Sequence, residues 1–237
     1  MSREVLNLRQ AAEHVHIDEN ELKHFAQRGE VAAQKRGDEW YFEHRALDEW
    51  AQRNLLSSGE SELKKQHRIM MTEQQRFANK DWGITELFSM EAISLNIQAK
   101  AKPGILRDMT ELADLSGKVY DKDGLFKELL AREEAASTAI GESVALLHPR
   151  FHDPYMFEQS FIAYGRSERD IFFGAPNGEG TRHFFLICST DHEIHLHILA
   201  RLAILAHGSN MIERLDSASG PEEVVAIIGE CEAEFRK

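Results

Sequence analysis

Cysteine is scarce in this chain: Cys188 and Cys231 are the only two among 237 residues. Two thiols make neither a disulfide framework nor, alone, a zinc site, and a reducing cytoplasm is the expected location. Long apolar runs are missing too. No stretch approaches the roughly 18 residues of a membrane-spanning helix. The segment Met1-Ser-Arg-Glu-Val-Leu-Asn7 has no apolar core of a secretory leader, so no membrane insertion is expected. Positive charge is short, with 28 Lys+Arg against 40 Asp+Glu and a net charge of −12. Such a balance disfavours general nucleic-acid binding, which draws on Lys and Arg for its phosphate contacts. The deficit is uneven: residues 1–56 carry a net −3, residues 57–80 a net +2 and residues 81–237 a net −11. The run Gly174-Ala-Pro-Asn-Gly178-Glu-Gly180 lacks the Gly-Lys-Ser/Thr of a phosphate-binding loop and reads as a hairpin loop. What remains, 42% hydrophobic and 29% charged, suits a globular protein of one large or two modest domains. No internal repeat is present.

Residues 8–15 have helical spacing at Leu8, Ala11, Ala12 and Val15. His16 and Ile17 make a turn, Asp18 is a helix N-cap, and Glu21 three positions on completes a capping-box pattern. A second helix over about 19–28 turns Leu22, Phe25 and Ala26 inward and stops at Gly29. Residues 31–35 and 39–42 flank Arg36-Gly37-Asp38 as a hairpin. A third helix over about 43–54 places Leu47 and Trp50 on one face. This order resembles the excisionase/MerR-like winged helix-turn-helix, carried by Leu8-x-x-Ala11-Ala12, Arg28-Gly29, Trp40-x-Phe42 and Leu47-x-x-Trp50. Two positions depart from that pattern: His16 stands where glycine is common, and Ala32 where proline is common. The resemblance implies DNA recognition by the second helix, with Asn20, Lys23, His24, Gln27 and Arg28 as base-facing candidates. Lys35 and Arg36 at the hairpin tip are placed to meet phosphates. Glu19, Glu21 and Glu30 oppose this, and a protein-binding winged helix is the alternative.

Residues 57–82 form a polar linker. Within it, residues 60–79 favour a helix whose stripe of Leu63, Ile69, Met70 and Phe77 either stays solvated or pairs two copies of the chain. Beyond Trp82 the pattern is mixed. Strands are expected at 92–97, 144–147, 160–164 and 184–188. Helices are expected from Lys102-Pro103 to about 116, over 122–134, over 191–207 and over 221–235. The overall expectation is an α+β chain: a small amino-terminal winged helix-turn-helix (1–56), the linker, and an α/β domain (83–237) with a mixed sheet flanked by helices.

His148 closes the apolar run Val144-Ala-Leu-Leu147, so its imidazole belongs at a strand end. An imidazole of ordinary pKa, about 6.5, is mostly neutral at pH 7 and hence nucleophilic. On a helical wheel His195 lies about 100° from Ile194, inside an apolar stripe about 140° wide. A satisfied core histidine is the alternative there, as an ordinary surface histidine is for His148. Arg132 ends a helix sixteen residues before His148. A guanidinium forms charge-assisted bonds to phosphoryl oxygens, and a surface salt bridge is its plainer reading. A zinc site in His192-x-x-His195-x-His197 fails on geometry. His192 and His195 lie about 60° apart on the wheel, but His197 points about 160° from His195, so no metal is assigned.

The run from Arg132 through Ser137-Thr-Ala-Ile-Gly141 to His148, with His195-Leu196 downstream, resembles the enzyme IIA domain of the bacterial phosphotransferase system, of the fructose/mannitol/nitrogen-regulatory type. Leu147 stands where that family usually has proline, and Pro149 follows instead. The resemblance implies a phosphocarrier rather than an enzyme of ordinary turnover. His148 would accept a phosphoryl group from a phosphocarrier of the HPr class, with Arg132 and His195 stabilising it. No dissociable organic cofactor is implied. Joined to a winged helix, such a domain reads as a cytoplasmic regulator relaying a sugar or nitrogen signal to DNA or a protein target. A transport carrier serving an enzyme IIB partner and a non-phosphorylated interaction module are the other readings.

Overall fold

The computed structural model describes residues 5–57, 83–151 and 155–235. The helix expected over 60–79 lies outside them. The chain divides into two compact units between residues 80 and 81.

The first unit runs β1 (Val5–Asn7), α1 (Leu8–His14), α2 (Glu19–Arg28), β2 (Ala33–Arg36), β3 (Glu39–Glu43) and α3 (His44–Ser57). Its three strands are antiparallel in the order β1-β3-β2. Asn7 and Gln10 form a reciprocal capping box on α1. The Asp18 carboxylate caps α2 by accepting from the Asn20 and Glu21 N–H groups. Gly29, at φ +71°, ends α2, and Glu30 N–H returns to the Phe25 carbonyl. His16 occupies the left-handed region at φ +54°, which is why glycine is the commoner choice at such a turn. Ala11, Leu22, Phe42 and Leu47 are fully buried, and Phe25 meets Trp50 at 5.0 Å between ring centroids.

The second unit opens with a 3₁₀ turn (Ile84–Leu87) and β4 (Phe88–Ile97). It continues through α4 (Lys102–Asp114), α5 (Lys122–Ala135), β5 (Ala139–Gly141), β6 (Val144–Leu147), β7 (Phe161–Ile171) and β8 (Thr181–Cys188). It closes with α6 (His192–Gly208), α7 (Met211–Ser217) and α8 (Pro221–Phe235). The mixed sheet has the order β4-β7-β8-β6-β5, with β4–β7 and β6–β8 parallel and the other neighbours antiparallel. Strand alternation splits its side chains between two layers. Ala145, Leu147, Ala163, Phe184, Leu186 and Cys188 join Ile105, Leu106 and Met109 of α4 and Leu125 and Leu129 of α5 in one core cluster. On the opposite face α6 packs on β6 and β8, and α8 on β4.

The structure corrects the sequence reading in detail. β7 runs to Ile171 rather than ending at 164, because its outer part forms a hairpin arm with β8. Gly174–Gly180 is indeed the loop of that hairpin, with Gly178 N–H bonded to the Ala175 carbonyl. α6 is buried all round rather than along one stripe: His197 and Arg201 are as inaccessible as the apolar residues. The covering comes partly from α8, whose buried Glu232 lies 3.4 Å from Arg201 and also accepts from Ile84 N–H.

A polar chain ties α7 to the sheet. The Tyr164 hydroxyl bonds to His183 Nδ1 at 2.8 Å. His183 Nε2 lies 3.3 Å from Asp216, and Arg182 reaches the same carboxylate at 3.2 Å. Burial pushes the Tyr164 hydroxyl well above its ordinary range, so it stays a donor. Burial also pulls His183 down to about 4, against the opposing attraction of Asp216. The folded form therefore holds His183 neutral where the unfolded chain would protonate it. That stabilisation is complete above about pH 6.5 and is lost as pH falls through about 4. Denaturant midpoints should drop between pH 7 and pH 5, with His183 contributing about 2 kcal/mol of the change. The same comparison in a His183→Gln variant should show a shallower drop; an equally steep one would place the pH sensitivity elsewhere.

Candidate functional site

The three residues that the sequence marks in the second unit converge. Arg132 lies in the last turn of α5, His148 directly follows β6, and His195 sits in the first turn of α6. They approach from different layers, which is why 16 and 47 residues of separation disappear in the fold. Arg132 Nε–H donates to His148 Nε2 at 2.9 Å, and Arg132 Nη1 donates to the Ala136 carbonyl at 2.8 Å. His148 Nδ1 lies 2.8 Å from the Leu146 carbonyl. The His195 ring centroid stands 4.9 Å from that of His148, the planes tilted by 58°. His148 and His195 are wholly buried, and Arg132 is 4% exposed. The surface readings of His148 and Arg132 therefore fail.

These contacts define a protonation state. A carbonyl only accepts and a guanidinium N–H only donates, so the proton of His148 rests on Nδ1 and the lone pair on Nε2. The imidazole is thus the neutral tautomer, with its nucleophilic nitrogen aimed at the guanidinium. Leu147, which stands where proline is usual, pairs in register with Leu186 of β8 and keeps this strand end in the sheet.

A second network, which the sequence reading missed, steadies the turn after α5. Glu133 Oε2 accepts from both the backbone N–H and the hydroxyl of Thr138, at 3.0 and 2.6 Å. Its other oxygen takes Lys102 Nζ at 2.8 Å, and that ammonium also lies over the Phe173 ring. Ser137 donates to the Phe173 carbonyl. Ser137 and Thr138 thus shape the loop rather than face His148. Consecutive residues of one helical turn do separate work here: Arg132 addresses the histidine and Glu133 holds the chain that leads to it. The order Lys102-Pro103 at the start of α4 betrays nothing of this partnership, since Lys102 and Glu133 are 31 residues apart.

In the first unit, Asn20, Lys23, His24, Gln27 and Arg28 are all exposed along α2, and Lys35 and Arg36 flank the hairpin tip. Arg28 pairs with Glu30 at 2.6 Å and lies over the Phe25 ring. Arg36 lies over Tyr41. Among the described residues no helix is long and apolar enough to cross a membrane.

Residues 86–231 match the family described as phosphoenolpyruvate-dependent sugar phosphotransferase system, EIIA 2. The chain is 30% identical over 149 residues to the fructose-specific EIIABC component of Bacillus subtilis (strain 168), covering 62% of this chain but only 23% of that protein. It is 26% identical over 148 residues to the nitrogen regulatory protein of Bradyrhizobium diazoefficiens, covering 61% of this chain and 94% of that one. Its fold matches the crystal structure of the nitrogen regulatory protein IIA-Ntr from Neisseria meningitidis with a TM-score of 0.56 and 26% identity, over 61% of this chain and 98% of that one. Through residues 86–231, the chain belongs to the EIIA 2 family of the phosphoenolpyruvate-dependent sugar phosphotransferase system.

Proposed function

We propose that the second unit accepts a phosphoryl group on Nε2 of His148 from a phosphocarrier of the HPr class, and that the phosphorylated form alters what the first unit binds. The observation that carries the first step is the polarised imidazole: Nδ1–H on the Leu146 carbonyl, and the Nε2 lone pair on Arg132. In the transfer the Nε2 lone pair forms a new N–P bond. The donor's N–P bond breaks, and its nitrogen recovers the electron pair. Arg132 turns from the lone pair to the phosphoryl oxygens, where charge-assisted bonds stabilise the transferring group. The proton stays on Nδ1, hydrogen-bonded to the Leu146 carbonyl, so the phosphorylated ring carries positive charge and remains a good leaving group for onward transfer. The test is intact-mass measurement after incubation with phosphoenolpyruvate and the general relay proteins. One phosphoryl adduct per chain is expected, and no adduct would leave an interaction module that kept the fold.

His195, buried 4.9 Å from the His148 ring, is proposed to hold that ring or a phosphoryl oxygen. His195→Ala should slow transfer at least about tenfold, while thermal unfolding stays cooperative at a cost of about 1–3 kcal/mol. Stopped-flow transfer rates and a melting curve separate the two effects. An unfolded variant would make His195 a core residue only.

The first unit favours regulation over sugar transport, since handing a phosphoryl group to an enzyme IIB partner needs no such module. Its exposed α2 and hairpin tip support the reading as a winged helix that contacts DNA. Selection from a random DNA pool at low salt, in both phosphorylation states, tests this. If no sequence is enriched, the unit's target is a protein, and the phosphohistidine reading stands on its own test.

A further inference from the structure

We propose that the first unit binds one divalent transition-metal ion of the zinc, cobalt or nickel class through His14, His44 and Asp48. His14 closes α1, and His44 and Asp48 stand at i and i+4 in the first turns of α3, on one face of that helix. Both imidazoles converge on one carboxylate, one to each oxygen: His14 Nε2 lies 2.6 Å from Oδ1, and His44 Nδ1 lies 3.4 Å from Oδ2. The imidazole rings stand 4.3 Å apart, and the three ligand atoms all lie within 4.8 Å of one another. A tetrahedral ion with bonds of about 2.0–2.2 Å spaces its ligand atoms by about 3.3 Å. Seating it asks the His14–Asp48 pair to open by less than about 1 Å, and the widest pair of the group, at up to 4.8 Å, to close by about 1.5 Å.

The donor set selects the ion. Two nitrogens and one carboxylate suit borderline transition metals, whereas calcium and magnesium demand oxygen-rich shells. Three protein ligands leave a coordination position for water or an outside group. Side-chain exposures of 20% for His14, 31% for His44 and 15% for Asp48 leave the group open to an incoming ion while the helices hold it. A hydrogen-bonded His14–Asp48 pair alone would tie α1 to α3 without any need for His44, yet His44 completes the cluster from the same helix face as Asp48. A bound ion would clamp α1 to α3, the helices that precede and follow α2 and the hairpin in the chain. The unit presenting α2 would then be stabilised by metal supply. The pattern is not legible in the sequence, because its halves lie 30 residues apart and leave no local spacing signature.

The test uses the full, untagged chain after chelator treatment. Equilibrium dialysis should give one zinc ion per chain, and cobalt should develop visible absorption on binding. At a hundredfold excess over the dissociation constant, the first unit's unfolding midpoint should rise by roughly 10–20 °C. His44→Gln leaves the His14–Asp48 bond intact and should weaken binding at least tenfold; Asp48→Asn should do the same. His192→Gln, in the other unit, should change nothing. Absent binding, or binding that survives His44→Gln or falls with His192→Gln, overturns the site.

Discussion

Replacing His148 with Ala should abolish phosphorylation by the relay, measured as acid-labile, base-stable label. The effect is expected to be total because the proposed attack uses the Nε2 lone pair that Arg132 addresses, and alanine removes it. The His195 ring stands in contact with that of His148, at 4.9 Å between centroids. Label that survives in His148→Ala and vanishes in His148→Ala/His195→Ala would transfer the acceptor role to His195. The alanine variant has a structural cost as well. It strips the Arg132 Nε–H of its acceptor in a buried setting, worth about 1–3 kcal/mol. His148→Gln offers the guanidinium an amide oxygen instead and should melt closer to the parent chain while remaining unlabelled. Two variants, one destabilised and one less so, both silent in phosphorylation, would separate chemistry from folding. Nuclear magnetic resonance of the labelled parent should place phosphorus on Nε2, since Nδ1 is occupied by the Leu146 carbonyl.

The parts of this molecule that were legible in sequence are those written in local chemistry. Asp18 and Gly29 bracket α2, and the glycines of 174–180 mark a hairpin loop, because each acts on its own neighbours. β5 was not legible, for an equally local reason. The two-residue turn joining it to β6 uses Glu142 and Ser143, both at positive φ, where Asn-Gly is the usual signature. β1 is three residues long, too short for alternation to speak. Arg132, His148 and His195 could be named through family resemblance, and the fold brings them together. Which imidazole nitrogen carries the lone pair depended on the Leu146 carbonyl, two residues back, and on a helix from another layer. Glu133 and Lys102 were invisible because an ion pair across 31 residues leaves no periodic trace. The burial of Arg201 depended in part on α8, whose Glu232 approaches it from far along the chain.

Replacing Arg132 with Met should slow phosphoryl transfer to His148 by about 100-fold or more, the scale of losing one well-placed donor to developing charge. The argument rests on what the guanidinium does before and after the step. Before it, Nε–H is bonded to the lone pair that must attack, so Arg132 fixes the ring but also occupies its nucleophilic nitrogen. During the proposed transfer, that bond would be exchanged for bonds to phosphoryl oxygens. The Nη1 bond to the Ala136 carbonyl keeps the side chain in place while the fork turns. Arg132→Lys separates charge from geometry: it restores a positive group but not the planar fork, and should recover only part of the rate. Rapid-mixing rates with phosphorylated carrier in excess, set beside melting curves, provide the measurement. Should Arg132→Met transfer at the parent rate while melting lower, the guanidinium would be a brace for the 136–138 turn and nothing more. Should both variants lose rate while keeping a cooperative melt, the bond between Arg132 and His148 is the resting state of the phosphoryl-accepting machinery.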